Sequence, residues 1–356
     1  MKVSVVIPTC NRPELLGRCL AALVAQDFDA AEYEIIVADD AANEATRRQV
    51  ETYAKRAAVA VRYVPVNGAH GPAAARNAGW QAAQGEIIAF TDDDTIPRPD
   101  WLKNGANVFD GTVAAIGGRV EVPLPETPTD YGRDAAGLAR AGFVTANCFC
   151  LREVLVEVGG FDERFTAAWR EDSDLYFTLL ECGYNVRYAA EAVVLHPIRS
   201  AIWGVSLRQQ QKCVFNALLY RKHPALYRMH IPPFPQDYLV SVGAMLMALG
   251  GALTGHRRLA WGMAGMWALL TARFCARRLK GTSRAPSHIA EMVVTSALIP
   301  PLSLCANLVG ACRYRTLPSV KNLVMTFAAP PHDVRRVYDS SKADNLFSGC
   351  ARTVRA

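Results

Sequence analysis

The sequence predicts an α/β fold with a mostly parallel central sheet and helices on both faces. Three observations carry that prediction. Apolar, β-branched runs recur through residues 3–92, helical patterns separate them, and polar or acidic residues follow the runs at their carboxyl ends. VSVVIP (Val3 to Pro8) is continuously apolar, as a strand buried on both faces must be. A helix should follow, with Pro13 and Glu14 in its first turn and Leu15, Cys19 and Leu23 forming an apolar stripe at i, i+4, i+8. EIIVAD (Glu34 to Asp39) is a second strand, a polar helix spans about Asn43 to Arg56, and Val59 to Val66 is a third strand. After the turn-rich Asn67 to Pro72, an Ala-rich helix is expected to run to a stop at Gly85, with EIIAFTD (Glu86 to Asp92) as the fourth strand. Ligands of such sheets bind beyond the carboxyl ends of the strands. Thr9, Asp39, Asp40 and Asp92 to Asp94 all fall there.

Residues 101–158 are less regular, with Pro123 to Pro128 as a loop and Phe143 to Leu151 as a strand, and read as the acceptor-side half of the same domain. Glu171 to Gly183 predicts a helix with acidic residues in its first turn. Two short strands, Val186 to Tyr188 and Val193 to His196, should close the domain.

The chain of 356 residues is 51% hydrophobic, enough for a sizeable core, and its net charge of +6 hides an asymmetry. Residues 1–198 hold 18 Lys/Arg against 28 Asp/Glu, whereas residues 199–356 hold 21 against 5. An acidic half followed by a basic, apolar half suits an enzyme on an anionic membrane surface better than a nucleic-acid binder. The 10 cysteines lack CxxC spacing, which argues against a zinc or redox site. One Lys and a short apolar run ended by Pro8 fall short of a signal peptide, so the catalytic part is expected in the cytoplasm.

Residues 203–228 read as basic helical structure on a surface. Tyr238 to Thr254 and Leu259 to Ala272 are apolar but each short of the ~20 residues of a full span, so a tight hairpin or half-sunk helices are expected. Ile289 to Cys312, interrupted by Pro300 and Pro301, predicts a re-entrant or interfacial segment. Flanking basic runs such as Arg273 to Lys280 favour the cytoplasmic leaflet. The expected organisation is a catalytic domain over 1–200, basic linker helices over 201–235, a membrane-embedded or interfacial region over 236–318 and a tail over 319–356.

Three neighbouring carboxylates at a strand end repel one another, so Asp92, Asp93 and Asp94 call for a cation. Mg²⁺ or Mn²⁺, sharing oxygen ligands with substrate phosphates, answers that need. In strand geometry Asp92 and Asp94 share a face and Asp93 does not. The bland alternative is an exposed acidic turn.

VSVVIPTCNR, IIVADD, GPAAARNAG, FTDDDTIPRPDWL, VGGFDERF with EDSDL, and VVLHP together resemble the family 2 glycosyltransferases, an inverting family with the GT-A fold. The stretches cover about the first 200 residues in the family's order. The resemblance implies a nucleotide-diphospho-sugar transferase with a C-terminal helical, membrane-associated region. It implies donor contacts from Pro8, Thr9, Asp40, Arg76, Asp92 and Asp93, and a metal site of Asp94 with His196. Asp172, which matches the second residue of the family's acidic pair, would be the base, with Glu171 as an alternative base or an acceptor ligand, and Trp169 is a candidate to stack on an acceptor sugar. Each has a structural alternative: an Asx turn at Asp39, a salt bridge to a sheet-end carboxylate for Arg76, a strand end for His196, helix capping for Glu171 and Asp172, and core filling for Trp169. AlaAlaAsn (Ala41 to Asn43) stands where the family usually has Gly-Ser, which leaves the base preference open.

The function expected is metal-assisted, inverting transfer of a single sugar, first from a UDP-sugar, to a lipid-linked or cell-surface glycan at the cytoplasmic face of the cell membrane. A nucleotidyltransferase is disfavoured because TCNRPE, without a Gly-rich basic loop, follows the first strand. A processive polysaccharide synthase is disfavoured because RQQQKC (Arg208 to Cys213) lacks the Arg-Trp of the processive relatives. A catalytically dead glycan-binding relative would not need both acidic groups.

Overall fold

The computed structural model describes residues 1–316. The tail expected over 319–356, and the last positions of the 236–318 region, lie outside them. Two compact units form: residues 1–123 with 137–198, and residues 124–136 with the described residues from Arg199 onward.

The first unit holds a sheet of eight strands. In chain order they and their helices are β1 (Val3–Thr9), α1 (Pro13–Val24), β2 (Tyr33–Asp39), α2 (Glu44–Arg56), β3 (Ala60–Pro65), α3 (Pro72–Gln81), β4 (Ile87–Thr91), β5 (Ile96–Pro97), α4 (Trp101–Ala106) and β6 (Ala115–Glu121). After α5 (Asp130–Ala135), which belongs to the second unit, come β7 (Asn147–Leu151), α6 (Arg152–Val158), α7 (Glu171–Glu181) and β8 (Val186–Leu195). The strand order is β3-β2-β1-β4-β7-β6-β8-β5.

β1 pairs in parallel with β2 and β4, and β2 with β3, so the first half of the sheet is the parallel array the apolar runs predict. Every residue of β1 and β2 is buried, because helices cover both faces. One core cluster packs Val5, Ile7, Leu16, Leu20 and Ile35 together, and another packs Val6, Ile36, Ile88, Phe90 and Trp80. β7 then runs antiparallel to both β4 and β6, which makes the sheet mixed. The order reverses between β1 and β4. Their carboxyl ends therefore open the crevice in which such sheets bind ligands.

Two local expectations are corrected. The Ala-rich helix stops at Gln81, not Gly85. Gly85 is needed instead for close approach, since a Cβ there would lie 2.6 Å from the backbone nitrogen of Ser4. The two short strands near residue 190 are one strand, β8. Its register against β6 shifts between Gly118 and Arg119, a bulge that breaks the apolar pattern without ending the pairing.

The second unit is helical: α8 (Val205–Gln210), α9 (Val214–Lys222), α10 (Pro224–His230), α11 (Gln236–Leu253), α12 (Arg257–Leu279) and α13 (Pro286–Arg313). α11, α12 and α13 are each long and apolar enough to cross a membrane. They exceed the apolar stretches that suggested partial insertion because helix continues into the flanking polar and basic residues. Nor does α13 break at Pro300 and Pro301. The proline ring holds φ at a helix-compatible angle, so the pair removes two backbone donors without ending the helix. Leu253 is 89% and Trp261 78% exposed, and Leu246, Leu269, Val293 and Val309 also face outward. Such large exposed apolar faces mark association surfaces, lipid included.

Within this unit the excursion 124–136 is tied down by a buried cation. Arg278 meets Asp130 Oδ2 through Nε at 3.0 Å and Nη2 at 2.8 Å, and reaches Thr295 Oγ1 and Ser296 Oγ through Nη1. Arg133 adds bonds to the main-chain oxygens of Arg278 and Lys280 at the end of α12.

Candidate active site

The site begins at the end of β4. Thr91 is the last strand residue, and its hydroxyl bonds to Thr95 Oγ1 and to the carbonyl of Ala146. Thr95 also donates through N and Oγ1 to the carbonyl of Asp92, closing a tight turn over Asp92 to Thr95. That turn divides the three carboxylates.

Asp92 and Asp94 face His196, the residue just beyond β8. One ligand atom from each of the three lies within 4.8 Å of the others, and His196 Nε2 is 3.5 Å from Asp94 Oδ1. Two carboxylate oxygens and an imidazole nitrogen converging on one point form a donor set that suits a divalent ion such as Mn²⁺. β8 delivers His196 there because β6 anchors it: His196 N donates to Glu121 O at 2.8 Å.

Asp93 faces the other way. Thr9 Oγ1 donates to its Oδ2 at 2.8 Å and Arg12 Nη1 to its Oδ1 at 3.1 Å. Burial pushes its pKa up, against the pull of Arg12. Asp93 and the Thr9 hydroxyl, both expected at the donor, thus engage each other and hold the ends of β1 and β4 together. Arg12 was not anticipated as their partner.

Arg76, on α3, is 2% exposed. Its Nη2 donates to Asp92 Oδ1 at 2.7 Å and its Nη1 to Glu171 Oε1 at 3.1 Å. This is the sheet-end salt bridge weighed against a diphosphate contact, extended to a second carboxylate. Glu171 opens α7, and burial followed by the charge of Asp172 pushes its pKa up to about 7, with Arg76 opposing. Asp172 is also raised, chiefly by burial. Its Oδ1 accepts from the Ser173 backbone N–H at 2.6 Å and from the Ser173 hydroxyl at 3.2 Å. The helix dipole would lower these carboxyls; burial outweighs it.

Asp39 and Asp40 separate cleanly. Asp39 is fully buried and accepts from Ala41 N, Asn43 N and the Tyr63 hydroxyl, so it makes the Asx turn after β2. Asp40 is partly exposed, accepting from Gly71 N at 3.0 Å and lying 3.1 Å from His70 Nδ1. Pro8 is buried within β1, whose last carbonyl, that of Thr9, accepts from Asp40 N. Trp169 is 39% exposed, with the Arg170 guanidinium 4.7 Å from its ring centre.

Sequence reasoning missed the clamp that brings α7 to the strand ends. Asn77 Nδ2 donates to Phe161 O and to Glu163 Oε1, and Asn77 Oδ1 accepts from Phe161 N and Trp80 Nε1. Gly160, at φ +69°, passes so close that a Cβ would lie 2.7 Å from Asn77 Oδ1. The signal was present, since Asn77 lies in GPAAARNAG and Gly160 in VGGFDERF, but nothing in one chain says that two such stretches interlock.

Comparison with known proteins agrees with this architecture. Residues 4–161 match the family described as "Glycosyl transferase family 2", and residues 87–309 match "Glycosyl transferase family group 2". The chain is 28% identical over 223 residues to "Glycosyltransferase AglE" of Haloferax volcanii, covering 58% of this chain and 70% of the relative. It is 31% identical over 230 residues to "Pre-mycofactocin glycosyltransferase" of Mycobacterium tuberculosis, covering 59% of this chain but only 46% of the relative. Among solved structures, the mannosyltransferase PcManGT from Pyrobaculum calidifontis superposes with a TM-score of 0.51 at 21% identity, over 86% of this chain and 87% of that one. That likeness shows a shared GT-A fold. With the family matches spanning the sheet, the site and most of the C-terminal helices, the chain belongs to glycosyltransferase family 2 and is a glycosyltransferase.

Proposed function

We propose that the chain transfers a single sugar, with inversion, from a nucleotide-diphospho-sugar to a hydroxyl of a lipid-linked or cell-surface glycan, and that it works at the cytoplasmic face of the cell membrane. A UDP-sugar is the first candidate donor. The observation that carries this reading is Arg76, which joins Asp92 of the Asp92–Asp94–His196 cluster to Glu171, the neighbour of Asp172.

Asp92, Asp94 and His196 would hold Mn²⁺ or Mg²⁺. Such an ion, when bound, neutralises the negative charge that grows on a departing nucleoside diphosphate. Mn²⁺ is the first choice because imidazole is among the three donors. Pro8, Thr9 and Asp40, at the ends of β1 and β2, are assigned to the nucleotide: a partly exposed carboxylate such as Asp40 can accept from a base imide or a ribose hydroxyl. Arg76 keeps Asp92 and Glu171 apart in charge while orienting both.

Asp172 is assigned as the base. It accepts the proton of the acceptor hydroxyl as that oxygen bonds to the anomeric carbon; the bond from that carbon to the diphosphate breaks, and the diphosphate leaves with the electron pair. A carboxyl raised by burial is the better base for this step. Glu171 and Trp169 are assigned to the acceptor side, Trp169 through its exposed ring. The exposed apolar faces of α11, α12 and α13, with basic residues beside them, support a membrane-bound acceptor.

The test is a panel of nucleotide sugars, with and without Mn²⁺, comparing wild type with Asp94→Ala and Asp172→Asn. Asp172→Asn should bind donor and fail to transfer it, and Asp94→Ala should lose the response to Mn²⁺. Metal-independent, undiminished turnover in both variants would sink the mechanism.

A further inference from the structure

Beyond the residues assigned so far, the first unit carries an open depression of about 470 Å³ along β6 and β8, lined among others by Arg119, Glu121, Ala139, Tyr188 and Leu195. Its lining meets the candidate metal cluster through the chain at Leu195 and Glu121. Leu195 precedes His196, pairs with Ile96 of β5 across the sheet and with Glu121 in β6. Glu121 also accepts His196 N through its main-chain oxygen.

The side chains of this depression have a definite chemistry. Glu121 is held by cations at both oxygens: Arg98 Nη2 lies 2.7 Å from Oε2, and Arg119 Nη2 lies 3.5 Å from Oε1. The carboxylate is therefore fixed in place yet still 32% exposed. Arg119 Nε is buried without a hydrogen-bond partner. The side chain as a whole is 40% exposed, so the rest of the guanidinium is open to the depression. Tyr188 contributes an aromatic ring that is 39% exposed. An exposed ring beside a fixed carboxylate and a guanidinium matches a hydroxyl-bearing sugar ring. The apolar C–H face of the sugar covers the aromatic ring, its hydroxyls donate to the carboxylate, and its oxygens accept from the guanidinium. A phosphate would meet Glu121 and be repelled, and a purely apolar chain would leave the Arg119–Glu121 pair desolvated.

We propose that Arg119, Glu121 and Tyr188 form an acceptor subsite that binds a sugar ring of the glycan next to the ring receiving the transferred sugar. This rests on the glycosyl-transfer reading above, and it adds a specificity determinant separate from Asp172, Glu171 and Trp169.

The test uses the full chain in detergent and two probes, methyl α-D-mannopyranoside and methyl β-D-glucopyranoside, followed by saturation-transfer NMR. Wild type should bind at least one glycoside saturably. Tyr188→Ala and Arg119→Ala should each weaken that binding about ten-fold, whereas Tyr188→Phe, which keeps the ring, should stay within about two-fold. Affinity for the nucleotide sugar should stay within about two-fold in the same variants, which also shows that they are folded. Equal glycoside binding by wild type and both alanine variants overturns the proposal, as does a wild type that cleaves a nucleotide sugar yet binds neither glycoside. A wild type that binds glycoside through Tyr188 but cleaves no nucleotide sugar supports the subsite and overturns the transfer reading, so the two failures are distinguishable.

Discussion

Arg76 and Asp92 form an ion pair of 2.7 Å in which the arginine side chain is 3% exposed, and the second arm of the same guanidinium holds Glu171 at 3.1 Å. One buried cation thus ties the acidic turn after β4 to the first turn of α7. Removing it leaves Glu171 buried without its counter-charge, a loss of about 3–5 kcal/mol in comparable cases. Arg76→Ala should therefore lower the midpoint of denaturant unfolding. Arg76→Lys supplies the charge without the two-armed geometry. It should recover most of that stability but lower kcat by about ten-fold or more, since a misplaced base costs rate out of proportion to the displacement. Equal kcat for Arg76→Lys and wild type would count against the bridge as a positioning device.

The metal cluster makes a separate prediction. Asp94→Ala or His196→Ala should weaken Mn²⁺ binding, measured by titration calorimetry or by the electron paramagnetic resonance of free Mn²⁺, by about ten-fold or more. Asp93→Asn should not, because Asp93 faces Thr9 and Arg12. Its loss should appear as reduced thermal stability instead.

The coupling of Glu171 and Asp172 predicts a pH effect. Asp172 raises the pKa of Glu171 by like-charge repulsion, on top of burial, whereas Asp172 itself is raised chiefly by burial. A base is active only when deprotonated, so turnover should rise with pH through the pKa of Asp172. Because burial and not Glu171 raises that pKa, Glu171→Gln should leave the acid limb of the pH–rate profile in place. A limb that disappears in Glu171→Gln would argue that Glu171, not Asp172, is the titrating base.

Stability at low pH should depend on a carboxylate far from the chemistry. Glu34 is 1% exposed and accepts from Ser4 Oγ, Gln84 N and Arg62 Nη1. Burial alone would raise its pKa, but these partners outweigh it and the net shift is downward. A depressed carboxyl stabilises the fold above its unfolded pKa, and the stabilisation is lost as pH falls through the lower folded value. Glu34→Gln should therefore be less stable than wild type at neutral pH, and the gap should narrow at acid pH in denaturant titrations run at several pH values.

The helical unit predicts how the protein partitions. With Leu253, Trp261 and Leu269 strongly exposed, membrane attachment should resist high salt and yield to detergent. In flotation assays with anionic vesicles, wild type should stay in the lipid fraction at high salt. Leu253→Glu with Leu269→Glu should release a larger share of it.

Much of this was legible in the chain. The runs at Val3–Thr9, Tyr33–Asp39 and Ile87–Thr91 announced a parallel sheet because a strand buried on both faces has no polar position to spare. The acidic turn was legible because like charges side by side require a partner, and the start of α7 because acidic residues favour a helix N-terminus. The stop of α3, the continuity of β8 and the passage of α13 through Pro300 and Pro301 were not: β8 runs on because β6 pairs along its length, and a proline pair is compatible with either a helix or its end. Gly85 reads as a helix terminator until Ser4 is seen against it.

The amino-acid order by itself determined the strands and turns, because periodicity and turn residues are local properties, and its motifs carried the resemblance to the family and the reaction class it implies. Only the tertiary structure decided which partner each carboxylate meets. Asp39 and Asp93 turn to protein donors, Asp92 and Asp94 turn to His196, and Arg76 joins Asp92 to Glu171, the latter 95 residues further along the chain than Arg76. The reason is physical: the pKa and partners of a charged group depend on burial and on the charges within a few ångströms, and folding assembles those surroundings from segments that sequence keeps apart.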